Sequence, residues 1–228
     1  MDNLVTARNY FFDAMKSIIP ALFCITLHEL AHGFIAYRLG DNTAKDRGRL
    51  SLNPLRHIDP IGFLFMLVFK FGWAKAVPVN MRNFKKPKRD MAITALAGPV
   101  MNFILAAIVM FIMGLLYVRL LAPGGNYERT RYVILEMLDR TAVLSLSLAV
   151  FNLLPFPPLD GSKIVFSLLS QDKYAILMRY ERFGFLFLLL FVRSSIFDVT
   201  FRAMVEAVLM KFYSIAIYAI NLVLRVLN

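Results

Sequence analysis

Residues 91–118, MAITALAGPVMNFILAAIVMFIMGLLYV, run 28 positions without one Asp, Glu, Lys, Arg or His. A soluble domain of this size needs a polar face on each surface helix, so only lipid or a protein interior accepts such a run. The rest of the chain favours lipid. Of 228 residues 59% are hydrophobic and 18% charged, 21 are Phe, and the charges gather between further uncharged runs. That is the composition of a membrane protein.

Twenty-six Lys and Arg against 15 Asp and Glu give a net charge of +11, and 11 of the 26 cations fall between residues 40 and 90. In a membrane protein a local basic loop marks the cytoplasmic side, with anionic lipid head groups as its secondary contact, and no nucleic-acid partner is expected. Residues 3–16 suit a short helix on the membrane surface, and Pro20 suits the first turn of a span that ends at Gly40 and Asp41. The second span follows at 91–121, a turn-rich loop at 122–130 (APGGNYERT), and a third span at 132–154. Residues 183–192 seed a fourth, while 203–228 either cross or lie flat.

Between the first two spans, residues 61–69 are too few to cross and read as a re-entrant or surface segment. The flanking stretches GRLSLN (48–53) and KAVPVN (75–80) alternate like short strands. The expected fold is an all-α membrane protein, a multi-spanning helical bundle with a small β element at the cytoplasmic face. Residues 1–228 form one membrane-embedded domain whose motifs occupy about 20–165, in the cell membrane, with no removable signal peptide expected. The single cysteine, Cys24, excludes an intrachain disulfide.

The chemistry centres on HELAH, residues 28–32. On a helix, residues four apart are displaced by only about 40° and one turn, so the imidazoles of His28 and His32 reach one metal ion. Glu29 projects beside them, where it can take a proton from water at that metal. Ionisable groups inside a span are costly unless they bind something or face water, which favours a site over a polar cluster that only joins helices.

A catalytic zinc site needs a third protein ligand and an open fourth position. Asp160 is the best candidate. It sits in NLLPFPPLDG (152–161), where Pro155, Pro157 and Pro158 remove backbone donors and unwind the helix. Unwound backbone at membrane depth is tolerated where it lines a cavity or is buried in protein, so this segment is expected to face the metal. The competing reading makes Asp160 a cap of the helix that follows.

HELAH on a first core span, AGPVMN at 97–102 and NLLPFPPLDG together resemble the site-2 protease family of intramembrane zinc metalloproteases. LNPLRHIDPIG (52–62) and FGWAKAVPVN (71–80) resemble its compact prokaryotic members, without a PDZ or CBS domain. The resemblance implies Zn2+ held by His28, His32 and Asp160, Glu29 as general base, and Asn152 holding substrate or its oxyanion. It implies hydrolysis of peptide bonds within or near the transmembrane helix of a membrane protein substrate. Asn102, with Gly98 and Pro99, either lines the site in a similar role or forms an interhelical hydrogen bond.

Two further residues compete for metal, His57 in the basic loop and Cys24 one turn before His28. The rival function is a non-catalytic membrane zinc carrier or sensor, which would spread its ligands along a path. A protease family with Glu as third ligand is disfavoured, because Asp172, Glu181, Asp198 and Glu206 have no LDG-like setting. A substrate helix must unwind before cleavage, and the strand-like segments offer an edge to which it can add. Pro78, lacking an N–H, makes KAVPVN the outer strand of that element.

Overall fold

Backbone groups at membrane depth must find partners inside the chain, and helices supply them segment by segment. The computed structural model describes residues 2–69, 73–120 and 128–227. Its helices are α1 (Asp2–Arg38), α2 (Thr43–Asp46), α3 (Pro60–Phe69), α4 (Pro87–Leu120), α5 (Glu128–Asn152), α6 (Asp160–Ser167), α7 (Gln171–Val192) and α8 (Ser195–Leu227). Among the described residues, three segments are long and apolar enough to cross a membrane: Met15–Arg38, Pro87–Val118 and Ser195–Val226. Most of the loop expected at 122–130 lies outside the described residues.

The surface helix expected at 3–16 and the span after it are one continuous helix, α1, with Pro20 in its interior. Proline removes a single helix hydrogen bond, and within a span the neighbouring turns carry the helix past it. The third expected span corresponds to α5, which is helical but is not among the three apolar segments. Its sequence is more polar because it is shielded: it packs against α1, α4 and α8, with Ala142, Ser145, Leu146 and Ala149 fully buried. The fourth expected span lies in α7, which also falls outside that set of three.

The core joins Cys24 of α1, Leu105, Val109 and Met110 of α4, Ala142 of α5 and Ala216 of α8. Small residues let these helices approach closely, as membrane packing requires. Polar ties reinforce the bundle: Tyr213 of α8 donates its hydroxyl to Asp139 of α5 at 2.8 Å, and Arg140 of α5 donates to Ser17 of α1 at 2.6 Å.

The expected β element is not formed. Among the described residues there is no strand, only one isolated antiparallel bridge between Ile58 and Ala74. Residues 48–53 turn rather than extend, with Gly48 at φ +63°. Residues 75–80 carry no regular secondary structure, and side chains take backbone groups that a ladder would use. Arg49 donates to the carbonyl of Lys75 at 2.5 Å, Glu29 accepts from Val77 N–H at 2.8 Å, and Asp41 accepts from Asn80 N–H at 2.7 Å. These side chains take up part of the segment's backbone, and Lys75 N–H donates to the carbonyl of His57 at 2.9 Å.

Candidate metal centre

His28 and His32 stand one turn apart on α1, and Asp160 opens α6. Nε2 of His28 lies 3.0 Å from Nε2 of His32. Oδ2 of Asp160 lies 3.2 Å from the first and 3.0 Å from the second. A tetrahedral zinc with bonds of about 2.0–2.1 Å sets its ligand atoms roughly 3.3 Å apart, so this triangle has nearly the size of one face of a zinc polyhedron.

The remaining ring nitrogens are directed outward. Nδ1 of His32 lies 2.7 Å from the carbonyl oxygen of Thr94, so it carries the proton and leaves Nε2 with a lone pair for a metal. Nδ1 of His28 lies 3.2 Å from the side-chain amide of Asn102, whose Oδ1 is buried without a partner. Turning that amide over exchanges its nitrogen and oxygen. Oδ1 then accepts from Nδ1–H, and His28 gains the tautomer of His32. Ser145 holds Asn102 from behind, donating its hydroxyl to the Asn102 carbonyl at 2.8 Å.

The space for a metal depends on Gly98 of α4. A Cβ there would overlap Nε2 of His32 and stand 2.6 Å from Nε2 of His28, where no side chain fits. Two nitrogens, one carboxylate oxygen, fixed tautomers and a cleared front form a donor set that fits zinc.

The proline-rich segment delivers Asp160. α5 ends at Asn152, the chain turns through residues 153–159, and α6 begins at Asp160. The turn is tight enough that a Cβ on Gly161 would overlap the carbonyl oxygen of Leu153, which explains glycine after the aspartate. No side-chain cap bond is made at the start of α6, and the Asp160 carboxylate turns to the imidazoles.

A cavity of about 900 Å³ opens in front of the triangle, lined by Glu29, Asn152 and Lys163 among others. Asn152 donates its amide to the carbonyl of Leu148 at 2.9 Å and faces the cavity. Asn102 is fully buried behind His28, the position of an interhelical hydrogen bond. His57 is buried elsewhere, with Nε2 at 2.8 Å from the carbonyl of Ser51, and Cys24 Sγ lies 3.5 Å from the carbonyl of Thr141. Neither joins the cluster of His28, His32 and Asp160.

Sequence reading missed the Thr94 carbonyl and the Val77 amide, because backbone groups have no residue signature. Lys163 did leave a signal, since it follows Asp160 by three positions and so shares its face of α6.

This arrangement, set among apolar helices, defines a membrane metallohydrolase. The chain belongs to peptidase family M50, the site-2 proteases, whose model matches residues 17–192. It is 43% identical over 177 residues to YwhC of Bacillus subtilis (strain 168), a protein named as a zinc metalloprotease, covering 77% of this chain and 79% of that protein. It is 28% identical over 169 residues to Rip2 of Mycolicibacterium smegmatis, named likewise, covering 72% of this chain and 61% of that protein. Rip2 of Mycobacterium tuberculosis (strain H37Rv) is 29% identical over 173 residues, covering 74% and 62%. No solved structure matches the chain. The protein is a zinc-dependent membrane metalloprotease.

Proposed function

We propose that the protein hydrolyses peptide bonds within or near the transmembrane helix of another membrane protein, with His28, His32 and Asp160 as zinc ligands and Glu29 as general base. The observation that carries this reading is the triangle of ligand atoms beside Glu29 on the wall of one cavity. When bound, zinc supplies Lewis acidity, lowering the pKa of water at its open position toward about 7 and polarising a carbonyl.

Glu29 takes a proton from the attacking water as the water oxygen bonds to the scissile carbonyl carbon. The C–N bond then breaks, and Glu29 returns the proton to the leaving nitrogen. Asn152 on the cavity wall holds the substrate backbone or its oxyanion. Thr94 and Asn102 keep both imidazoles in the ligating tautomer. Because a helical peptide bond is screened by its own turn, the substrate unwinds and lies extended along the wall formed by Ala76, Val77 and Val79. A carrier or sensor is disfavoured because the three donors meet at one point rather than along a path.

The helices form a multi-pass bundle in which the basic segment 40–90 faces the cytoplasm and 122–130 the outside, supported by the charge bias between them. In a Cys24→Ser background, cysteines at Lys86 and Asn126 are expected to label from opposite sides, and labelling from one side overturns this topology.

Glu29→Gln tests the mechanism. Cleavage of a reconstituted membrane substrate is expected to fall by at least about 100-fold with zinc content unchanged. Retained proteolysis would exclude Glu29 as the base.

A further inference from the structure

One face of α4 carries Ile93, Leu96, Val100, Ile104, Ile108 and Ile112, each 40–51% exposed and spaced three or four residues apart. From Ile93 to Ile112 this row measures roughly 28 Å at 1.5 Å per residue. A bilayer hydrocarbon core is about 30 Å thick, so the row covers its depth once. Whatever lies one or two turns before Ile93 then stands at the level of the lipid phosphates.

That position is occupied by Lys85, Lys86, Lys88 and Arg89, with Asp90 the one acid among residues 85–90. Asp90 is 1% exposed, and it accepts from the Lys86 amide at 2.9 Å and from the Arg89 guanidinium at 2.8 Å. Asp90 thus places its own carboxylate at the start of α4, and side-chain cations are what a ligand meets there. Lys88 turns inward, donating to the carbonyl of Leu169 and lying 5.8 Å from the centre of the Tyr174 ring. Lys85, Lys86 and Arg89 are exposed.

Lys86 and Arg89 border a cleft of about 530 Å³ between the first turns of α4 and the end of α6. Lys86 and Arg89 stand on one wall and Ser167 and Leu168 on the other, and Ile93, the head of the apolar row, is part of the lining. Leu168 is 84% exposed. A free anion would use only the cations and a neutral lipid only the apolar residues. An anionic phospholipid uses both at once.

We infer that this cleft is a binding site for an anionic diacyl phospholipid, its phosphate held by Lys86 and Arg89 and its acyl chains laid along the row from Ile93 to Ile112. The bound lipid bridges α4, which carries Thr94 and Gly98, and α6, which begins with Asp160.

The test uses the purified full chain in detergent, exposed to phosphatidylglycerol, phosphatidylcholine of matched chains, or inorganic phosphate at the same concentration. Retained lipid is read by native mass spectrometry and stability by thermal unfolding. Phosphatidylglycerol is expected to be retained at least about fivefold over phosphatidylcholine and to raise Tm where phosphate does not. The double variant Lys86→Gln, Arg89→Gln is expected to lose that preference. A control, Lys45→Gln with Arg47→Gln, removes equal charge elsewhere in the basic segment and is expected to keep it.

Equal retention of the two lipids, or an undiminished preference in the double variant, overturns the site. A control that loses the preference as fully as the double variant reduces it to general surface charge. Stabilisation by phosphate equal to that by phosphatidylglycerol reduces it to a simple anion site.

Discussion

The backbone N–H of Val77 donates to Oε2 of Glu29 at 2.8 Å, so the segment 75–80 is fastened to the carboxylate assigned as base. On the proposed mechanism the other oxygen takes the proton. Val77→Pro removes this donor, whereas Val79→Pro removes an amide that Glu29 does not use. Turnover is expected to fall roughly 10- to 100-fold in Val77→Pro with zinc retained, and much less in Val79→Pro. Parallel assays of cleavage and metal content check this, and equal losses in both variants would mean that the segment acts through its shape alone.

Asp160 closes the ligand triangle, while His57 is buried against Ser51 in another part of the chain. Asp160→Ala is expected to leave the folded protein with well under half its zinc, and His57→Ala to change zinc content little. Elemental analysis of purified variants distinguishes the two, and the reverse pattern would transfer the ligand role to His57.

Gly98 and Gly114 both sit on α4 at close helix contacts. A methyl at Gly98 meets Nε2 of both His28 and His32, whereas one at Gly114 overlaps the Ala216 carbonyl oxygen. Gly98→Ala is therefore expected to lose zinc and activity with a modest change in Tm. Gly114→Ala is expected to lower Tm, by overpacking of about 1–3 kcal/mol, with zinc retained in the folded fraction. Metal content against thermal unfolding separates them.

Asp41 collects four hydrogen bonds, from the amide and hydroxyl of Thr43, the amide of Asn80 and the side chain of Asn83. Burial opposes its charge, and these donors outweigh that, holding its carboxyl below the ordinary 3.8. A lowered folded pKa gives stability that is complete above the unfolded value and is lost as pH falls through the folded one. Asp41→Asn is expected to destabilise by about 1–3 kcal/mol at neutral pH. That deficit should hold from about pH 5 to 8 and narrow below about pH 4, which melting curves across pH would show.

The parts legible in the sequence were those with a local signature. His28 and His32 are four residues apart, so helix geometry alone brings them together. Asp160 follows prolines that forbid helix, which marked its segment as unwound. α5 was harder to delimit, because burial among other helices relaxes the demand for apolar side chains that makes a lipid-facing helix visible. The alternation at 75–80 suggested a strand that the structure does not form. It could not reveal that Arg49, Glu29 and Asp41, distant in sequence, would substitute for a partner strand. Pro20 looked like a helix start because a proline alone carries no information on whether the turn before it is formed.

The contact between His28 and Asp160 spans 132 positions of chain. During synthesis the two imidazoles therefore leave the ribosome long before their carboxylate partner, and the nascent protein carries Glu29 without a complete metal site until α6 has been translated. On the proposed ligand set, hydrolytic competence therefore waits for the chain through Asp160 to be made.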